Sequence, residues 1–180
     1  MCGIVAVIGS REASPLLLEG LRQLEYRGYD SAGVATVEGG SLHCVRAKGK
    51  LVNLTARVEQ QGAPGFCGIG HTRWATHGKP EEHNAHPHRN GSGRVAVVQN
   101  GIIENHRSLR DALTASGVVF QSETDTEVIP HLVGASSTGR LKRVLSPALP
   151  CCLRPCKRCC PNCRGPTPWL CFGPMFRVPW

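Results

Sequence analysis

The chain has 180 residues, 41% hydrophobic and only 5% aromatic, with a formal net charge of +8. That charge lies wholly in the last quarter. Residues 1–133 balance 13 basic against 13 acidic side chains, whereas 134–180 hold 8 basic residues and no acid, so the body of the chain lacks a basic nucleic-acid footprint. The length suits one domain, or one with an appendage. No stretch approaches the ~20 apolar residues of a membrane helix, and no basic segment precedes an apolar core as in a signal peptide. The expected location is therefore cytoplasmic, with reduced thiols.

In chain order, Cys2 follows Met1 directly, and residues 4–8 form a continuous apolar run, as in a strand buried on both faces. Ser14 and Pro15 offer an N-cap and a first-turn proline. Leu17, Leu18, Leu21 and Leu24 follow at helical spacing, with Gly28 as the stop. Residues 33–37 and 42–47, joined through Gly39-Gly40, read as a hairpin. Leu51, Leu54 and Val58 mark a second helix. Residues 66–70 and 95–98 are short strands, and Leu109, Ala112 and Leu113, closed by Gly117, make a third helix. Residues 118–120 read as a strand, and a last helix is expected to begin near Asp125. Short, hairpin-linked strands mixed with helices favour an antiparallel α+β layered domain. The stretch 72–94 is long and aperiodic, which in a compact domain points to function.

Chemistry concentrates at a few places. Removal of Met1 leaves Cys2 holding a thiol, ordinarily of pKa about 8.5, beside a free α-amine of about 7.7–8.0, which is a nucleophile with its own base. Taken alone, Cys2 reads more simply as the second residue of a buried first strand. Arg73 and Asp125 read as surface charges or, for Asp125, a helix cap, and Asn100-Gly101 as a common turn. His71, His77, His83, His86 and His88 fall within 18 residues, but their spacing matches no familiar zinc pattern. No cofactor or metal is expected.

The ordered segments LEYRGYDSAG, HTRWATHGKP, NAHPH, NGIIENH and SETDTEVI, with the leading Cys2-Gly3-Ile4-Val5, resemble the glutaminase domain of class II glutamine amidotransferases. Their wording is most similar to the glutamine–fructose-6-phosphate aminotransferase (isomerizing) family. The resemblance covers residues 2–133. It implies a four-layer αββα fold of the N-terminal-nucleophile hydrolase type, incomplete here, and hydrolysis of the side-chain amide of L-glutamine. It also implies roles: Cys2 as nucleophile, the Asn100 side chain and Gly101 N–H as oxyanion donors, Arg73 for the substrate carboxylate and Asp125 for its ammonium. Trp74, Thr76 and His77 belong by resemblance to a loop that closes over glutamine, with His86 beside it. Fructose 6-phosphate and homodimerisation belong to further domains that nothing in this sequence resembles.

After about Gly134 the text changes. Seven of ten cysteines and eight of 13 prolines lie beyond residue 146. Residues 134–180 read as an unrelated, disordered Cys/Pro/Arg-rich tail, like translation in a shifted frame. A zinc module competes, since Cys156/Cys159 and Cys160/Cys163 have metal-type spacing, but the pairs abut. Further alternatives are an inactive fragment and nucleic-acid binding through the tail. Two departures from the family stand within the domain: Gln99 where the family usually has His, and Pro130 inside the last helix, where a proline is expected to disrupt.

Overall fold

A computed structural model describes residues 2–28, 30–74 and 78–137, and the backbone of 169–172. Strand β1 (Gly3–Ile8) leads into α1 (Ala13–Leu24) and a short 3-10 turn, Glu25–Arg27. The hairpin β2 (Ser31–Glu38) and β3 (Ser41–Lys48) turns at Gly39 and Gly40, whose φ of 54° and 82° are the left-handed values that a tight two-residue hairpin requires. Helix α2 (Leu51–Gln61) and β4 (Cys67–Arg73) follow. These four strands form one antiparallel sheet in the order β1-β4-β2-β3.

The second sheet is β5 (His88–Arg89) antiparallel to β6 (Val95–Val98), with β7 (Trp169–Phe172) parallel to β6 on its other side. Trp169–Phe172 lie within the stretch 134–180 and pair with Val95–Val98 of β6. Helices α3 (His106–Ala115) and α4 (Val128–Ser137) complete the described chain.

Three apolar clusters define the layers. Leu17 and Leu21 of α1 and Leu51, Leu54 and Val58 of α2 pack on Val34, Val45 and Ala47 of the first sheet. On its opposite face, Ala35 and Ile69 meet Ala96 and Val98 of β6. Beyond β6, Leu113, Val128 and Leu132 join α3 to α4. Helices, sheet, sheet and helices therefore stack as αββα, the α+β architecture expected. No helix among the described residues is long and apolar enough to cross a membrane.

Four local expectations need correction. Ser14 does not cap α1. It is buried as the helix's second residue, and the first helical N–H, from Ala13, donates to the Gly65 carbonyl at 2.8 Å. Residues 118–120 form no strand: Val118 N–H donates to Leu113 O, closing α3, while Val118 and Phe120 pack on the α3–α4 cluster. Helix α4 begins at Val128, three residues after Asp125, whose carboxylate accepts the Ile103 N–H instead of capping the helix. Pro130 therefore falls in the first turn of α4, where an N–H has no intrahelical acceptor anyway, and the proline disrupts nothing.

The turn after α1 prepares the site. Gly28 is extended, at φ −172°, and a Cβ there lies 2.9 Å from the Arg73 carbonyl carbon and 3.0 Å from Trp74 N. Any larger residue pushes this turn off the end of β4.

Candidate active site

Strand β4 aims its side chains alternately. Gly68 and Gly70 face α1, where Leu17 and Leu21 press close, so Ile69, His71 and Arg73 face the space between the sheets. β4 ends beside the start of β1, with Gly3 paired to Thr72. That register brings Cys2 against Trp74: the Trp74 N–H donates to Cys2 Sγ at 3.2 Å, and the thiol points to the Trp74 carbonyl at 3.5 Å.

Past the end of β6, Asn100 reaches back across 98 positions, and its Nδ2 donates to the Cys2 carbonyl at 3.3 Å. Its Oδ1 lies 2.9 Å from His71 Nε2. His71 is fully buried, and burial pulls its pKa down to about 4, so the ring is neutral. Gln99, the departure from the family's usual His, accepts a hydrogen bond from the Thr126 hydroxyl at 3.0 Å.

The opposite wall comes from residues 122–127. Asp125 is buried, and its Oδ2 accepts the Ile103 N–H at 2.7 Å, which ties this segment to the one carrying Asn100 and Gly101. Arg73 is buried as well, at 3% exposure, and its guanidinium donates to the Gly78 and Lys79 carbonyls at 3.3 and 3.2 Å. Burial draws the Arg73 pKa down, while Cys2, Asp30 and Asp125 oppose that shift.

Cys2, Arg73, Trp74, His86, Asn100, Gly101 and Asp125 line one cleft of about 460 Å³, together with Arg27, Gln99, Ile102, Thr124 and Thr126. Seven of the nine expected site residues thus converge. Thr76 and His77 lie outside the described residues. His86 is buried with neither ring nitrogen bonded to a protein group. Its ring lies 4.3 Å from that of His71 and 4.5 Å from that of His88, and burial pushes its pKa well below the ordinary value.

A buried relay supports this wall. Glu127 accepts the Gln121 and Ser122 N–H groups at 2.8 and 2.7 Å and the Ser122 hydroxyl at 2.6 Å. A carboxylate only accepts, so the Ser122 hydroxyl in turn receives that of Thr124, at 2.9 Å, and Thr124 receives Nε2–H of His88, at 2.9 Å. Burial opposes ionisation of Glu127, but bonds from His131, Ser122 and Gln121 outweigh it and hold the pKa at about 2. Asn84, fully buried, accepts the Glu123 N–H at 2.8 Å and donates to Lys79 O at 3.1 Å, joining the loop after Gly78 to the same wall.

His71, Asn84, His88, Thr124 and Glu127 stand inside the quoted motifs, but sequence reasoning gave them no role. The available signal was a polar residue among apolar or small neighbours within a strand, as His71 is in Ile69-Gly70-His71. Among the described residues, no group of three His, Cys, Asp or Glu side chains is arranged to hold a metal ion. The clustered tail cysteines 151–163 lie outside them.

Comparison with known proteins bears on this geometry. Residues 61–144 match the family model described as the glutamine amidotransferase domain. Residues 61–144 belong to a glutamine amidotransferase domain. The chain is similar to the glutamine–fructose-6-phosphate aminotransferase (isomerizing) of Thermosynechococcus vestitus, 68% identical over 133 residues, covering 74% of this chain and 21% of that protein. The namesake of Brucella abortus is 52% identical over 165 residues, covering 92% of this chain and 25% of its own length. The chain thus spans about a fifth to a quarter of these curated relatives.

Among solved structures, the amidotransferase domain resembles the glutamine phosphoribosylpyrophosphate amidotransferase of B. subtilis. The TM-score is 0.60 at 25% identity, over 80% of this chain and 32% of that one. An allosteric regulatory enzyme of purine biosynthesis matches similarly, with a TM-score of 0.61 and 26% identity over the same shares. The fold is that of the N-terminal-nucleophile amidotransferases.

Proposed function

We propose that this domain hydrolyses the side-chain amide of L-glutamine with Cys2 as nucleophile, once Met1 is removed. The observation that carries the reading is the convergence of the Cys2 thiol, the Asn100 amide, Arg73 and Asp125 on one cleft. The α-amine of Cys2 takes the thiol proton as sulfur attacks the amide carbon. The oxyanion that forms is met by Asn100 Nδ2 and the Gly101 N–H, donors whose removal costs roughly 10²–10³ in rate each. Collapse returns the proton to the leaving nitrogen, ammonia departs, and water cleaves the thioester to glutamate.

In this reading Arg73 binds the substrate α-carboxylate, as its planar fork suits, and Asp125 binds the α-ammonium. Trp74, Thr76 and His77 close over the bound molecule, excluding water, with His86 at its side. Residues 1–133 carry the activity, and 134–180 stand apart from it. The relatives are named for fructose 6-phosphate, which supports the reading that this domain supplies the nitrogen-releasing half of an amination of that sugar phosphate.

Mass spectrometry of the N-terminus and glutamate release from glutamine test the proposal. The chain is expected to begin at Cys2, and Cys2→Ala to fall to background. Glutaminase activity surviving in Cys2→Ala overturns it.

A further inference from the structure

The orientation of the Asn100 amide is decided by a residue that no role yet covers. The Cys2 carbonyl is an acceptor, so the Asn100 group facing it at 3.3 Å is the NH₂. Oδ1 then faces His71 Nε2, 2.9 Å away, and that nitrogen must carry a proton. In the other tautomer Nε2 becomes an acceptor and draws the NH₂ to itself. Oδ1 then turns to the Cys2 carbonyl, setting oxygen against oxygen and removing the donor from the cleft.

His71 is well placed to enforce one arrangement. It has 0% exposure, is held in register between Ile4 of β1 and Gly33 of β2, and packs against the His86 ring. It does not line the cleft, so it acts through Asn100 and not on substrate.

We propose that His71 is a positioning residue: its Nε2–H holds Oδ1 of Asn100 and so commits the amide N–H groups to the side of the cleft where the oxyanion forms. The inference rests on the oxyanion role of Asn100 given above. It makes the hydrogen bond matter to the chemical step and not to glutamine binding, because the amide oxygen gains full charge only as sulfur attacks.

The test is a double-mutant cycle in the full chain, with His71→Phe and Asn100→Ala alone and together. His71→Phe keeps a ring and removes the donor. It is expected to lower kcat about 10–10²-fold, below the roughly 10²–10³ for deleting a donor outright. KM for glutamine should stay within about twofold, and iodoacetamide should alkylate Cys2 at an unchanged rate. His71→Gln places an amide N–H near the Nε2 position and is expected to recover part of kcat, whereas His71→Asn, which falls short, is not. In the Asn100→Ala background, His71→Phe should cost nothing further.

Additive losses, or a loss seen in KM, overturn the inference while the oxyanion reading stands. Asn100→Ala with undiminished kcat removes both. Should His71→Phe fail to fold, the contrast between His71→Gln and His71→Asn decides, and equal kcat for the two overturns the proposal.

Discussion

The two faces of the four-stranded sheet are built from opposite materials. Toward α1 and α2 the interior is aliphatic, with Leu17, Leu21, Val34 and Leu54 at 0% exposure. Toward the second sheet, the short aliphatic patch of Ala35, Ile69, Ala96 and Val98 soon gives way to His71, Arg73, His86, His88, Asn84, Thr124 and Glu127, all buried. Hydrophobic burial is non-directional and tolerates small displacements, whereas a buried polar network holds each member at a set distance and angle. The aliphatic face secures the fold, and the polar face places the groups of the cleft. Loss on one face should therefore lower stability alone, and loss on the other should also change substrate affinity or turnover.

The largest effect is expected from Glu127→Ala. It strands the Gln121 and Ser122 N–H groups and the Ser122 hydroxyl in the interior, next to His131. Breaking a buried charged network in this way costs about 3–5 kcal/mol. Because residues 122–127 also carry Asp125, KM for glutamine should rise several-fold in the protein that remains folded. Denaturant melts together with glutaminase kinetics check both.

Leu54→Ala is the counterpart on the helix side. Removing a fully buried leucine costs about 2–5 kcal/mol, a drop of similar or smaller size, yet KM and kcat should match those of the unaltered domain at a temperature where both are folded. A rise in KM as large as that of Glu127→Ala would erase the distinction between the faces.

Mild acid sharpens the comparison with the smallest effect. Burial lowers the pKa of His71 to about 4, of His88 to about 3, and of His86 well below 6.5. The unfolded chain, with histidines near 6.5, therefore binds more protons than the folded one below that pH. Stability from these groups is complete above 6.5 and is lost as pH falls toward the folded values. Between pH 8 and 6.5 the loss is only about 0.4 kcal/mol per histidine, steepening toward about 1.4 kcal/mol per unit below. A thermal midpoint that does not drop as pH is lowered from 8 to 6.5 would contradict the buried, neutral state of this cluster.

Much of the scaffold was legible in the residue order because its signals are local. Leu17, Leu21 and Leu24 mark α1 at helical spacing, Leu51, Leu54 and Val58 mark α2, and Gly39-Gly40 marks the hairpin turn. Each pattern reports periodic burial or backbone freedom within a few positions. The local reading failed where a distant group intervened. Ser14 lost its capping role to Gly65, residues 118–120 gained no partner strand, and Asp125 turned from the α4 start to Ile103.

By itself, then, the sequence determined the apolar stripes, the turn glycines and the motif residues that a nucleophilic cysteine and a charged substrate call for. Which of those residues meet was decided only by the tertiary structure. Asn100 bonds to Cys2 across 98 positions, Glu123 to Asn84 across 39, His88 to Thr124 across 36 and His71 to Asn100 across 29. Side-chain hydrogen bonds of that span leave no period in the sequence. Their partners and tautomers are set by the register of β1 on β4 and by the packing of the second sheet on the first. The role of His71 lies in that part, because a histidine inside a strand reads as a core residue until the amide it faces is in view.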